Sequence, residues 1–212
     1  MISATRAIVL NHLRYGDNSL IVNLYTESMG RQAVFVKGIF SKKSTMRVAL
    51  FQPLHLVETD LYYRANRQIQ RLSNVRMYYQ FQSITFDPVK SCIALFIAEI
   101  LYKTLKEEEA NAELFVFLLH TIQALDLNDH GTANFHLVFL VHYSRYLGFY
   151  LKYDQMMLPQ LFGMSFDNLS NLQINHHQRN YLTEYLLRYY TTHVANFGKL
   201  KSFPVLQNIF QD

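Results

Sequence analysis

The chain has 212 residues, half of them hydrophobic and 17% charged, which excludes wholesale disorder and leaves room for one large or two small domains. Its net charge of +4 is unevenly spread: residues 1–80 carry 11 Lys and Arg against 4 Asp and Glu, a balance of +7, whereas residues 81–212 carry 9 against 12, a balance of −3. The single cysteine, Cys92, excludes an internal disulfide and every zinc site built on paired cysteines, as expected of a reducing cytosol.

The N-terminus, "MISATRAIVLNHLRYG", has no long apolar stretch, so no signal peptide is expected. The most apolar segment, Val89 to Leu101, is broken by Lys90 and Glu99 and falls short of the ~20 apolar residues of a membrane span. A soluble cytoplasmic protein without membrane contact is the expectation.

Residues 1–80 read as short strands between turn signals. "TRAIVLNHL" is extended, "YGDN" turns it, "SLIVNLYT" follows, "ESMG" turns again, and "RQAVFVK" makes a third strand. A basic loop leads to "LHLVETDLYY", which alternates as a half-buried strand does, and "RANR" returns it to a short fifth run, "QIQRLS". Five strands with no helical period argue for a small barrel or sandwich rather than a parallel α/β sheet.

Near residue 80 the period changes without a Pro/Gly linker. Asp87 and Pro88 form a helix start signal, and apolar residues from Val89 to Leu101 recur at helical spacing, with Ala94, Leu95 and Ala98 filling the other faces. Four more helices are expected in "AELFVFLLHTIQALD", "ANFHLVFLVHYSRYLGFY", "HHQRNYLTEYLLRYYTTHV" and "FPVLQNIF". "LKYDQMMLPQLFGMSFDNLS" has no clear period and reads as loop. The class is α+β: a β domain over 1–80 and an all-helical domain over 81–212.

Two basic clusters stand out. Lys37, Lys42, Lys43 and Arg47 follow the third strand with no acid among them, beside Ser41, Ser44 and Thr45, whose hydroxyls can donate to phosphate oxygens. Arg64, Arg67, Arg71 and Arg76 lie beside Tyr62 and Tyr63. If the strands close an OB barrel, "RANR" and "YGDN" are the loops that bind oligonucleotides, with Arg31 and Phe35 in strand three, cations meeting the backbone and aromatics the bases. Asp17 is discordant in the first loop. The bland alternative is a pair of solvated hairpin loops.

Nothing assembles a catalytic site. "GDNSL" lacks the flanking glycine of a nucleophile elbow, and neither a P-loop nor a dinucleotide fingerprint is present. Cys92 sits among apolar residues like a buried small hydrophobe. Glu99 has Lys103 four residues on, an ordinary helix-surface pair. His130, His136, His142, His176 and His177 lack ligand spacing, so no metal and no cofactor are expected.

The order of these features resembles RecO, the bacterial recombination mediator family, through "AIVLNHLRYGDNSLIVNLYTESMG" and "VKGIFSKKS…LFQPLHLVE", then "IAEILYKTL", "ELFVFLLHTIQALD", "FHLVFLVHYSRYLGFY" and the closing "FGKLKSFPVLQNIF". The resemblance implies an N-terminal five-stranded OB-type β-barrel followed by an all-helical C-terminal domain. It implies binding of single- and double-stranded DNA without sequence preference, annealing of strands coated by single-strand binding protein, a complex with RecR, loading of RecA through it, and a place at the nucleoid. Many members hold zinc with four cysteines after the third large helix. The equivalent "YDQMMLPQLFGMSFDNLS" has none, so the zinc is not carried over and the segment must be held by Leu158, Leu161, Phe162 and Phe166.

The DNA-contacting set expected on the barrel is Arg31, Phe35, Lys37, Lys42, Lys43, Arg47, Tyr63, Arg64, Arg67, Arg71 and Arg76. For the acidic, apolar-ended tail of single-strand binding protein, Arg145 and Lys152 beside Tyr146 and Phe149 are the best local match, unless those aromatics are core. The alternative function is an RNA-binding OB protein, such as a translation or ribosome-maturation factor, because barrel chemistry alone does not read the 2′-OH. A hydrolase would have no candidate site.

Overall fold

The computed structural model of the chain describes residues 2–41, 46–149 and 158–210. It has two compact units, Met1–Gln80 with Leu105–Leu119, and Phe81–Thr104 with His120–Asp212.

The first unit is a closed five-stranded barrel of OB type. Its strands are β1 (Ile2–Tyr15), β2 (Ser19–Thr26), β3 (Gly30–Lys37), β4 (Leu56–Tyr62) and β5 (Ile69–Tyr79), in the order β1-β2-β3-β5-β4. All neighbours are antiparallel except β3 and β5, whose short parallel pairing closes the barrel. Two strands outrun their expected bounds for a geometric reason. β1 serves two partners, β4 through Ile2–Ile8 and β2 through Ala7–Tyr15, and a bulge between Val9 and Asn11 bends it from one to the other. β5 runs on to Tyr79 to pair with the start of β4.

Alternation sorts the side chains. Val9, Leu20, Val22, Leu24, Val34, Val36, Val57 and Leu61 fill the interior, together with Phe51 from a 3₁₀ turn over Val48–Phe51. The barrel unit also includes the 105–119 segment. Phe115 stacks on Tyr25 at 6.2 Å, and Arg6 lies over Phe115 while binding Glu27 through both carboxylate oxygens.

Gly30 explains how closely that segment approaches. Its φ is +58°, a left-handed conformation that favours glycine, and an added Cβ would lie 2.6 Å from the Glu107 carbonyl oxygen and closer still to that of Glu109. The neighbouring Arg31 N–H donates to Glu107 O at 2.9 Å. Gly30→Ala therefore combines left-handed strain of about 1–2 kcal/mol with an overpacking cost of about 1–3 kcal/mol. A loss of about 2–5 kcal/mol in chemical denaturation is expected, and one below 1 kcal/mol would contradict the packing.

The second unit holds α1 (Pro88–Thr104), the second half of α2 (Ala112–Leu127), α3 (Phe135–Tyr146), α4 (Leu158–Phe162), α5 (His176–His193) and α6 (Ser202–Ile209). The Asp87 carboxylate caps α1, accepting from the N–H groups of Val89 and Lys90. Phe96, Ile97 and Ala98 are buried on successive faces of α1, while Leu95 is half exposed. Tyr143 and Tyr190 are fully buried, their hydroxyls bonded to Thr104 and to the Leu140 carbonyl.

The stretch read as loop contains α4 and a 3₁₀ turn over Phe166–Asn171. Phe166 stacks on Phe135 at 4.4 Å and Leu161 is fully buried, which anchors it; the Leu158 side chain lies outside the described residues. α4 spans five residues, too short to show a helical period.

Glu99 and Lys103 do not form the surface pair expected of them. The Glu99 carboxylate accepts from Ser202 Oγ and from the N–H groups of Lys201 and Ser202, where it serves the start of α6. Burial alone would raise its pKa, but these hydrogen bonds hold it below the ordinary value. Lys103 Nζ donates to the carbonyls of Phe197 and Lys199. Among the described residues no helix is long and apolar enough to cross a membrane.

Candidate nucleic-acid interface

The outer face of the barrel carries one row of side chains fixed by strand register. Leu13 on β1 is paired with Ile21 on β2, Ile21 with Phe35 on β3, Phe35 with Arg71 on β5, and Arg71 with Tyr62 on β4. Directly paired residues point to the same side of a sheet. All five are at least partly exposed, while their strand neighbours Leu20, Val34, Val36, Gln70 and Leu61 are buried. The row thus alternates apolar, aromatic and cationic groups: Leu13, Ile21, Phe35, Arg71, Tyr62.

Two cavities of about 290 Å³ each flank Arg71. One is lined by Tyr62, Arg64, Arg67, Ile69, Gln70, Arg71 and Leu72, the other by Phe35, Val36, Lys37, Met46, Arg71 and Leu72. They share Arg71 and Leu72, so they form adjoining parts of one depression, and neither lining includes an acid. Near the second, Tyr15 meets Phe35 edge-on at 5.8 Å, and Arg14 lies 5.1 Å over the exposed Phe40 ring.

The loop between β4 and β5 is held by one buried side chain. The Gln70 amide accepts from Arg64 N–H at 2.9 Å and donates to the carbonyls of Arg64 at 3.0 Å and Arg67 at 2.7 Å. A turn bond from Arg67 N–H to Arg64 O completes it. Backbone geometry, rather than ion pairing, therefore places both arginines.

Of the residues singled out from sequence, Phe35, Lys37, Arg64, Arg67 and Arg71 come together here. Arg47 is exposed ahead of the 3₁₀ turn at Val48. Lys42 and Lys43 lie outside the described residues. Arg31 is drawn away: its guanidinium donates to the Leu105 carbonyl at 2.7 Å and to Asn23. Arg76 pairs with Glu58 at 2.8 Å beside a separate cavity that Asp60 also lines. Tyr62, rather than the neighbouring Tyr63, lines the arginine cavity. Tyr15 belongs to the "YGDN" loop expected at this face, whereas Arg14, Phe40 and Ile69 carry no sequence signal for it, because only strand register reveals their company.

The other singled-out residues have structural partners. Phe149 is buried among Tyr189, Tyr190 and His193 and so belongs to the core; Arg145 is exposed and lies over the Phe162 ring, Tyr146 is partly exposed, and Lys152 lies outside the described residues. His136 is fully buried against Thr183, and burial pushes its pKa down to about 3, so it stays neutral. His142 donates from Nε2 to the Met164 carbonyl oxygen at 2.8 Å. Burial raises the Cys92 thiol above its ordinary pKa, the opposite of an activated nucleophile. Among the described residues no three His, Cys, Asp or Glu side chains gather as a metal site. A four-cysteine zinc site does not fit this chain, whose one cysteine is in α1.

Comparison with known proteins assigns both halves. The family models for the N-terminal and C-terminal parts of recombination protein O match residues 1–81 and 85–157. The chain is 36% identical to the DNA repair protein RecO of Bacteroides fragilis, over 99% of this chain and 100% of that one. It is 34% identical to RecO of Phocaeicola vulgatus, over 99% and 100%, and 33% identical to RecO of Flavobacterium psychrophilum, over 97% and 98%. With a barrel of OB type, a following helical part and relatives that align end to end, the chain belongs to the RecO family of DNA repair proteins.

Proposed function

We propose that the chain is a non-enzymatic DNA-binding mediator that holds strands by their backbone along the β3–β5 face and anneals strands coated by single-strand binding protein. The observation that carries this reading is the acid-free depression in which Arg64, Arg67, Arg71 and Lys37 surround the Phe35–Arg71–Tyr62 row. Cations there neutralise phosphates and lower the repulsion between two approaching strands, while the aromatic faces accept bases of any sequence. Family membership supports partnership with RecR and, through it, delivery of RecA at the nucleoid.

Salt dependence tests the contact. Lys37, Arg47, Arg64, Arg67 and Arg71 amount to five phosphate contacts, so single-strand affinity should fall with a log–log salt slope of about −3.5, at about 0.7 per contact. A slope near zero would refute backbone binding.

For the tail of single-strand binding protein, the groove between α5 and α6 is a better fit than the Arg145 region. Leu187, Phe197, Leu200, Phe203 and Pro204 line a cavity of about 380 Å³ there, with Arg188 and Lys199 at its rim. An acidic peptide with an apolar end matches that combination, although Glu184 also lines the groove. Arg188→Glu should weaken binding of a labelled tail peptide about tenfold, the size of one charge-assisted contact of about 1.5 kcal/mol. Unchanged affinity would place the tail elsewhere.

A further inference from the structure

We propose that the cavity beneath the β4–β5 loop is a one-nucleotide subsite that takes an unstacked base, with Gln70 as its positioning residue. This rests on the reading of the β3–β5 face as a DNA interface and adds that part of the face selects unpaired strands.

The chemistry of the lining differs from that of a plain phosphate patch. Ile69 and Leu72 are apolar, Tyr62 offers a ring, and Arg64, Arg67 and Arg71 supply cations. A nucleotide has the same three parts: a flat apolar base face, hydrogen-bonding edges and an anionic phosphate. Small-molecule pockets start at roughly 300 Å³, so a cavity of about 290 Å³ suits one nucleotide and not a run of strand. In a duplex each base is stacked and paired, and entry would require extruding it at a cost of a few kcal/mol. A single strand meets no pairing cost, so the cavity discriminates by strandedness without reading sequence.

Gln70 fits the role of keeping that cavity open before a ligand arrives. It is buried, and its backbone position is set by register with Val34 across the β3–β5 ladder. Its amide makes three hydrogen bonds to the loop that carries Arg64 and Arg67. Both arginines are exposed, and among the described residues neither side chain forms an ion pair, so the held backbone is what sets their position. Pre-ordering the loop removes an entropy cost that would otherwise fall on binding.

The test compares matched single-stranded and duplex oligonucleotides, the single strand carrying one 2-aminopurine whose fluorescence rises on unstacking. Ile69→Trp fills the cavity from a partly exposed position and alters no charge. It should lower single-strand affinity at least fivefold, leave duplex affinity within twofold, keep the salt slope and abolish the fluorescence rise. Gln70→Glu keeps the size of the side chain but cannot donate to the two loop carbonyls, and should reproduce the single-strand defect. If Gln70→Glu does not fold, Ile69→Trp decides alone. Equal losses on both DNA forms, or no loss on either, would overturn the subsite while leaving the DNA interface standing. A parent chain that binds neither form would overturn the interface itself.

Discussion

Replacing Arg64, Arg67 and Arg71 together with glutamate should lower affinity for single-stranded DNA at least about 50-fold at physiological salt, from three lost contacts at about 0.7 each in the log–log relation. The residual slope should drop to about −1.4, the share of the two remaining contacts. All three side chains are exposed and line cavities without acids, so the substitutions break no ion pair among the described residues. Exposed changes of this kind move stability by no more than about 0.5 kcal/mol each, so the variant should melt near the parent. The matched control is Arg76→Glu. Arg76 already faces Glu58 in a cavity that Asp60 also lines, and its loss should cost little DNA affinity. An equal defect in both variants would mean that the whole basic half acts as a diffuse field rather than as one face.

The second large effect concerns folding of the helical unit. Asp126 is buried, and its carboxylate accepts hydrogen bonds from the N–H groups of Gln82, Ser83 and Ile84, each at 2.9 Å. Its carbonyl accepts from Lys90 Nζ at 2.9 Å, and Lys90 is itself 3% exposed. The Asp129 carboxylate, largely exposed, lies 3.9 Å from that ammonium. Asp126→Ala leaves three N–H groups unmet and takes a negative charge from the surroundings of a buried cation. A loss of about 3–5 kcal/mol is expected, as for breaking a buried charged network. Asp126→Asn keeps one acceptor oxygen and should cost less. The measurement is chemical denaturation of both variants, and a loss under 1 kcal/mol for Asp126→Ala would contradict the network. Because the proposed DNA face belongs to the other compact unit, the folded fraction of either variant should keep the parent's DNA affinity.

Much of this was readable from residue order, and the exceptions share a cause. Turn residues such as "YGDN", "ESMG" and "RANR" mark where strands end, so the five strands and the change of period near residue 80 follow from local chemistry. The basic residues of the proposed DNA face stand out in the sequence as unmixed charge. Register was not, because it depends on pairing between strands far apart in sequence. That is why Tyr63 was singled out although Tyr62 lines the cavity, and why the sequence around Arg31 carries no sign of its bond to the Leu105 carbonyl. Glu99 and Lys103 show the same limit. Their spacing suits a pair along one helix, but a carboxylate beside unmet N–H groups of α6, and an ammonium beside two carbonyls, find stronger partners across the fold.

Single-stranded DNA is proposed to lie on the Leu13–Ile21–Phe35–Arg71–Tyr62 row. Photo-crosslinking of a thiothymidine-containing single strand, followed by peptide mapping, tests it most directly. Crosslinks should concentrate at Tyr62, Phe35 and their immediate neighbours on β3, β4 and β5, and be lost in the Arg64, Arg67 and Arg71 triple variant. Crosslinks that fall instead on the Glu58, Asp60 and Arg76 face, or on the helical unit, would contradict it.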